Sequence, residues 1–507
     1  MEKVKSAKQF SKKSVTIILC ILGLFIFLSN VQCQKSNDNI ISIFVSSQDG
    51  DRLSKKADMK FKADKKSSLP VIKIDESIRF QKMDGFGATF NEAGMICLNS
   101  LSADAKENVL KMLFDPETGS GYTAMKSPIG ACDFASAGPW YTYNDTPGDT
   151  LMKFFNIDRD LAPDGLIPFI KAASKYGKFL IESPLDFAPD WMYVSLRKGK
   201  RNIKPQYYSA LANYYLKYVQ AYAANGVTID FLNLFNESGV YSEVSYPIIG
   251  ELIKNYVGPL FKAEGVPTRI QLGETPNSAQ TLKYYPPLLE DNEIRKYIHS
   301  LTFHGYSWGT HNNLTLLHNK FPEFPIWQTE ICYALVGNPT TWTNVPRNGP
   351  TKLPVYEFSD GEFWGNQIMN DMKNWVSAWI YWNMILDQNG GPCLISPTHD
   401  DPPLNQQHAV VIINRDTKVV TYTGLYYYLT HFSKFIRPGA YRINSTGDSE
   451  NLNFAAFQNT DGSITLNVIN NGSEMDCKVL WKNKMTIQKF KAHSITTLKW
   501  NGSVKNK

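Results

Sequence analysis

TIDFLNLFNESG (228–239) and FPIWQTEICY (324–333) each run through an apolar stretch into a glutamate. Each reads as a short buried strand that ends on a carboxylate, Glu237 in the first and Glu330 in the second. The sequence around them has one rhythm from about residue 83 onward. Short apolar runs at 83–90, 121–130, 178–183, 227–235, 269–273, 301–304, 325–329 and 375–382 alternate with helical stretches such as 164–176, 205–224 and 247–264. Strand–helix alternation of this length implies parallel strands joined by crossover helices. Eight strands point to an α/β fold of the (β/α)8 barrel type. A doubly wound sheet is the rival, but it usually carries a glycine-rich phosphate loop, and Gly85-Phe86-Gly87 lacks the third glycine.

The two ends of the chain have a different pattern. Residues 34–70 are polar and lysine-rich apart from a strand-like run at 40–46, and 69–78 (LPVIKIDESI) alternates like a half-buried strand. Beyond 438 the helical period disappears and strand-like runs follow one another, with Asn459-Thr460-Asp461-Gly462 as a hairpin turn. The expected organisation is therefore a processing segment at 1–33 and a linker with edge strands at 34–82. The barrel takes 83–437, and an all-β part takes 438–507. One β-sandwich can draw strands from both ends.

In a barrel of this kind the reacting groups sit at the carboxyl ends of the strands. Glu237 would end the fourth strand and Glu330 the seventh, an interval that fits three strand–helix units. Two carboxylates facing each other across the barrel mouth can cleave a glycosidic bond, one protonating the leaving oxygen and the other attacking the anomeric carbon. Asn236 beside the first glutamate belongs to the same patch. Glu92, Asp133, Glu182 and Glu274 also fall near strand ends, either as sugar-binding carboxylates or as groups that orient their neighbours. His304, Tyr306 and Trp308, in LTFHGYSW, read as a sugar-binding wall. No nucleophile elbow, zinc-binding HExxH or phosphate loop occurs, so serine and metal hydrolysis are not indicated.

The composition agrees with this reading. The chain has 507 residues, 43% of them hydrophobic, which excludes a disordered chain or a disulfide-stapled miniprotein. The net charge of +6 sits largely on Lys3, Lys5, Lys8, Lys12, Lys13, Lys505 and Lys507 at the ends, which argues against a nucleic-acid partner. The 28 Phe, 11 Trp and 26 Tyr are an excess that can stack on sugar rings as well as fill a core. Seven cysteines lie far apart with no C-x-x-C pair, so buried thiols are expected. The run SVTIILCILGLFIFL (14–28) after a lysine-rich start is too short to span a bilayer and reads as a secretory signal. The mature protein is then expected to be secreted, periplasmic or on the cell surface, with no integral membrane segment. A second reading makes Cys33 a lipid-anchored first residue, although Asn30-Val31-Gln32 is a poor lipobox.

From about Phe80 to Tyr441 the chain resembles glycoside hydrolase family 30, the glucosylceramidase-like family. The motifs occur in order: MDGFGATFNEAG (83–94), IGACDF (129–134), SPLDFAPDWM (183–192) and FNES (235–238). FHGYSW (303–308), QTEIC (328–332), YWNMILDQNGGP (381–392) and THFSKFIRPGAYRI (430–443) follow. The resemblance implies a retaining mechanism with Glu330 as nucleophile and Glu237 as acid/base, and with no metal or organic cofactor. It also implies that Glu92, Asp133, Trp191, Asn236, His304, Tyr306 and Trp382 contact the sugar. The chain departs from the family pattern at Ser238 and at Leu185-Asp186-Phe187. Two further departures are Gly305, where a bulky aromatic is usual, and Glu92, where Asp is commoner. Several of these positions choose the sugar and leaving group, so ceramide is not the default. The implied function is a β-glycosidase acting on β-glucosyl units of a carbohydrate or glycoconjugate. A β-1,6-glucanase, β-fucosidase or β-xylosidase is the near alternative. A non-catalytic carbohydrate-binding barrel is the alternative from another class.

Overall fold

The computed structural model describes residues 40–135, 139–197, 200–239, 243–306, 310–336, 353–393 and 405–502. The expected signal segment, Cys33 and Trp308 lie outside these residues. Eight strands close a parallel barrel: β1 Gly85–Thr89, β2 Ala124–Lys126, β3 Leu180–Pro184, β4 Phe231–Asn233, β5 Arg269–Thr275, β6 Ile298–His304, β7 Ile326–Glu330 and β8 Val376–Asn383. The cyclic order is β5-β6-β7-β8-β1-β2-β3-β4, closed by pairs such as Ala378↔Gly85 and Arg269↔Phe231. Every strand falls within or beside an apolar run of the sequence, as expected for strands buried on both faces.

Close approach of neighbouring strands explains two glycines. A Cβ on Gly87 in β1 would lie 2.1 Å from the Ala124 carbonyl oxygen of β2. A Cβ on Gly273 in β5 would lie 2.0 Å from Thr302 Oγ1 of β6. The amino-terminal end of the barrel is plugged by Ala124, Phe231, Trp327, Ala378 and Ile380, with the Trp327 indole donating to Asp84 at 2.8 Å. That plug leaves the carboxyl ends of the strands as the open end.

The helices lie outside and bury a continuous apolar shell. Tyr208–Ala224 buries Tyr214, Tyr215, Tyr218 and Tyr222 on one side. The stretch 247–264, which the pattern reads as one helix, is helical throughout but changes pitch. It runs as Tyr246–Leu252, a π segment Ile253–Val257, and Gly258–Glu264. Pro259 lies in that last piece and cannot donate the hydrogen bond an unbroken α-helix needs, so the looser turn precedes it.

Most of the remaining strands form one large sheet that folds over as a sandwich. The amino-terminal strand Ile40–Ser47 pairs antiparallel with the carboxyl-terminal Ser494–Asn501. Val71–Lys82 pairs with Tyr441–Gly447 and Met475–Trp481. Both chain ends therefore build this unit, around Ile43, Ile72, Trp481 and Trp500. Two small sheets escaped the sequence pattern because their strands have only three residues. Ala334–Val336 pairs with Asn405–Gln407, and Ile385–Asp387 with Val411–Ile413 and Val420–Tyr422. Of the described cysteines, Cys97, Cys132, Cys332 and Cys477 are buried thiols, whereas Cys393 is half-buried.

Candidate active site

The two glutamates reach the open end by different routes. Glu330 is the last residue of β7. Glu237 lies beyond β4, in the turn that follows, with φ +42°. Glu274, within β5, has φ +58°. Left-handed backbone is uncommon for residues with a side chain, and it collects at functional sites. One oxygen of Glu237, one of Glu330 and a ring nitrogen of His304 all lie within 4.8 Å of one another. His304 Nδ1 is hydrogen-bonded to Glu237 Oε1 at 2.9 Å and lies 3.6 Å from Glu330 Oε1. Its other nitrogen meets Glu274 Oε2 at 2.9 Å.

Lys126, the last residue of β2, is the centre of the cluster and is not among the residues the sequence pattern singles out. Its ammonium donates to Glu274 Oε2 at 2.7 Å and Glu330 Oε2 at 3.0 Å. It also reaches Asn236 Oδ1 at 3.4 Å and lies 3.9 Å from Glu182 Oε1. The signal was present in the sequence: a lysine at the end of an apolar strand, in the place where a carboxylate would have been noticed. Asn233 is a second missed residue. Its amide donates to Glu182, Gln271 and Glu274 at 3.1, 3.2 and 3.3 Å, and ties the barrel interior to the site.

Burial and charge fix the ionisation of this cluster. Burial alone would push the Lys126 ammonium toward neutrality, but Glu274, Glu330 and Glu182 outweigh it and hold the pKa well above the usual lysine range. The Glu274 carboxyl is pulled down despite its burial, by Lys126 and His304. Burial and the neighbouring Glu274 charge together push Glu182 well up, and its Oε1 has no hydrogen-bond partner. His304 is raised to about 10, because Glu330 and Glu274 outweigh the burial that would lower it. Cationic His304 and Lys126 thus face ionised Glu274 beneath the Glu237–Glu330 pair. These three side chains, Glu237, His304 and Glu330, are also the group that could converge on a metal ion among the described residues. Lys126 already supplies a positive charge to Glu330 at ion-pair distance.

The other expected residues surround this pair. Tyr306 donates its phenol to Glu330 Oε1 at 3.0 Å and lies 3.4 Å from Cys332 Sγ. Its own ionisation is pushed far up by burial and by Cys332 and Glu330, so it remains a donor. Trp382 near the end of β8 places its ring centroid 5.4 Å from the Lys126 ammonium and packs edge-on against Phe134. Asp133 accepts from Asn405 at 2.9 Å and Gln407 at 3.3 Å, and Gln407 Oε1 accepts from Cys332 and Asn383. The small sheet that the sequence did not reveal therefore links Asp133 to Tyr306. Glu92 is held on both oxygens by Arg159, at 2.8 and 2.9 Å. A sugar hydroxyl there would share a carboxylate already paired. Trp191 is half-buried in the turn after β3 and spends its indole N–H on the Asn144 carbonyl at 2.9 Å.

Comparison with known proteins places this geometry. The model of the glycosyl hydrolase family 30 TIM-barrel domain matches residues 83–436, and that of the family's β-sandwich domain matches 439–498. The chain is 27% identical to putative glucosylceramidase 4 of Caenorhabditis elegans over 452 residues, 84% of this chain and 82% of the relative. It is also 27% identical to an endo-1,6-β-D-glucanase of Neurospora crassa over 419 residues, 78% of this chain and 79% of the relative. The crystal structure of SrfJ from Salmonella typhimurium superposes with a TM-score of 0.80 at 21% identity, covering 92% of this chain and all of the other. With both domain models matched in order over most of its length, the chain belongs to glycoside hydrolase family 30, a family of retaining O-glycosyl hydrolases.

Proposed function

We propose that the protein is a secreted retaining β-glycosidase that acts on β-glucosyl units, with Glu330 as nucleophile and Glu237 as acid/base. The observation that carries this reading is the closeness of the two carboxylates, with oxygens within 4.8 Å. Retaining enzymes hold their two carboxyl groups about 5–5.5 Å apart, whereas inverting enzymes leave about 6.5–9.5 Å for a water. The division of roles follows from the partners. Glu330 receives a donor on each oxygen, Lys126 on one and Tyr306 on the other, which holds the carboxylate in one orientation. Glu237 is the more exposed of the two, its side chain 18% accessible against 8%, and only Oε1 is engaged by His304. Its second oxygen is available to a leaving group.

In the first step a Glu330 oxygen attacks the anomeric carbon as the bond to the leaving oxygen breaks, and the Glu237 proton moves to that oxygen. A covalent glycosyl-enzyme results. In the second step Glu237, now a carboxylate, takes a proton from water. The water oxygen attacks the anomeric carbon and Glu330 is released. Asn236, next to Glu237, is the candidate partner for the sugar 2-hydroxyl, where contacts that strengthen in the transition state contribute most. Trp382 is the candidate sugar wall. The β-glucosyl assignment is supported by the relatives, a putative glucosylceramidase and an endo-1,6-β-D-glucanase, whose names share that sugar. Fucosyl and xylosyl substrates are the alternatives. Secretion is supported by the apolar run 14–28.

Glu330→Gln is expected to abolish hydrolysis of aryl β-glucosides, a loss of at least about a thousandfold in kcat, with the fold intact by circular dichroism. Glu237→Ala is expected to retain the first step on activated aryl glucosides and to regain turnover with azide, giving a β-glucosyl azide. Full activity in the Glu330 variant, or no azide product from the Glu237 variant, contradicts these assignments.

A further inference from the structure

Glu92 opens the helix that follows β1, at the open end of the barrel. The next residue, Ala93, donates its backbone N–H to the Phe134 carbonyl at 3.1 Å, and Phe134 packs against Trp382, the candidate sugar wall. Glu92 is only 5% exposed, and Arg159 grips it with a fork, Nε and Nη2 each donating to one carboxylate oxygen. A fork fixes the plane of a carboxylate as well as its position. Arg159 is held in turn. Its Nη1 donates to the Pro139 carbonyl at 2.6 Å, and the guanidinium carbon lies 4.0 Å from the centre of the Tyr141 ring.

The residue beside the arginine anchors its backbone. Arg159 lies in the four-residue helix Asp158–Leu161, which is too short to be stable by itself. Its neighbour Asp160 turns the other way and is fully buried. Among the described residues no cation comes within ion-pair distance of that carboxylate. Three phenols donate to it instead, Tyr141 to Oδ1 at 3.0 Å and Tyr143 and Tyr222 to Oδ2, the last at 2.6 Å. Burial pushes the Asp160 carboxyl up to about 6 even with these donors lowering it. Tyr222 belongs to the helix Tyr208–Ala224, and Tyr143 stacks on Tyr214 and Tyr218 of the same helix with centroids 5.9 and 5.7 Å away. One carboxylate therefore ties the short helix to the outer shell of the barrel and to the loop after β2. Tyr141 closes the circuit, since its hydroxyl also lies 3.5 Å from Glu92 Oε1.

The fork is not needed to hold the backbone of Glu92. Asn91 caps that helix, accepting from the Gly94 N–H at 2.9 Å, and its amide donates to Asn383 at the end of β8 at 2.9 Å. What Arg159 adds is the orientation of the carboxylate. A glutamate at the mouth would otherwise lose rotamer freedom each time a ligand bound, and a side chain already fixed avoids that cost.

We propose that Arg159 is a positioning residue for sugar binding: it holds the Glu92 carboxylate in one plane to accept from a hydroxyl of the sugar beside Trp382, and Asp160 with its three tyrosines holds Arg159 in place. This rests on the glycosidase reading above. The test measures KM and kcat of the full chain on nitrophenyl β-glucoside. Arg159→Met is expected to raise KM roughly tenfold with kcat within about threefold, the pattern of a binding contact shared by ground and transition states. Arg159→Lys keeps the charge without the fork and is expected to raise KM by about threefold. If Arg159→Met does not fold, Arg159→Lys supplies the comparison. Glu92→Gln tests the route. In that background, which leaves no buried charge unpaired when Arg159 is removed, Arg159→Met is expected to change KM by less than about twofold, because the two residues act as one unit. Asp160→Asn touches neither Glu92 nor the sugar and is expected to raise KM by at least about threefold with kcat retained. A parental KM in the Arg159 variants or in Glu92→Gln overturns the inference. So does an Arg159→Met effect as large in the Glu92→Gln background as in the parent, which would make Arg159 a direct contact. A parental KM in Asp160→Asn overturns the part assigned to Asp160. In each of these cases the glycosidase reading stands. If the unmodified enzyme does not hydrolyse aryl β-glucosides, that reading fails and this inference fails with it.

Discussion

Lys126 Nζ is enclosed among Glu274, Glu330 and Glu182, and its charge, with that of His304, holds the Glu274 carboxyl down against its burial. Replacing it by Met would leave those carboxylates buried with no cation from β2, which costs about 3–5 kcal/mol for a broken buried pair. The expected outcome is a lower melting temperature at pH 7 and a Glu274 carboxyl no longer held down by Lys126, seen as a smaller fall in melting temperature as pH drops below about 4.5. Glu182 behaves in the opposite sense. Its folded pKa is raised, so above pH ~4.5 the native state holds more protons than the unfolded chain, and stability falls as pH rises through that window. Glu182→Gln, which mimics the neutral acid, is expected to flatten that part of the melting-temperature curve. An unchanged slope would remove Glu182 as its source. At this scale the sequence is legible where the signal is a carboxylate on an apolar strand, and the structure brings two such residues, Glu237 and Glu330, together. It is less legible at Lys126 and Asn233. A lysine or asparagine near a strand end is ordinarily taken as solvent-facing, and only the barrel's closure puts these two inside.

The barrel strands were legible as elements because each is buried on both faces and reads as a continuous apolar run. Their ends were less so. β4 stops at Asn233, earlier than its apolar run, because the chain must turn to left-handed backbone at Glu237. Turn geometry of that kind has no hydrophobic periodicity to betray it. The strand pair Ala334–Val336 with Asn405–Gln407 was invisible for a related reason, since three residues are too few to show alternation and the partners are distant in sequence. Gly273 allows a close crossing at element scale. Thr302 Oγ1, which a Cβ at Gly273 would strike, accepts the hydrogen bond from the Glu274 backbone N–H at 2.9 Å. Gly273→Ala is therefore expected to cost at least about 1–3 kcal/mol and to lower kcat by displacing Glu274. A variant as stable and active as the parent would show that β5 and β6 have slack the structure does not suggest.

At the scale of the molecule, the sandwich is joined to the barrel by buried polar groups as well as apolar packing. His431, on the helix Gly424–Ser433, is bonded to Thr497 at 2.7 Å and Ser46 at 3.0 Å, one residue from each chain end. Burial lowers its pKa to about 3. Between about pH 6.5 and 3 the unfolded chain therefore binds a proton that the native state refuses, so stability falls as pH falls through that range, by at most about 1.4 kcal/mol per pH unit from this group. His431→Gln is expected to remove that contribution, which thermal melting at pH 7 and pH 5 would detect as a smaller difference between the two. The architecture itself was readable from sequence because alternation ends at both edges of the barrel, and strands left over at both ends have each other to pair with. What the whole molecule does turns on Glu330 becoming covalently attached to the sugar. The direct measurement is to incubate the enzyme with 2-deoxy-2-fluoro-β-glucosyl fluoride, digest it and locate the added mass by peptide sequencing in a mass spectrometer. A single fluoroglucosyl group on Glu330 is the predicted result. A label on Glu237 or elsewhere, or inactivation without any covalent adduct, would contradict the account.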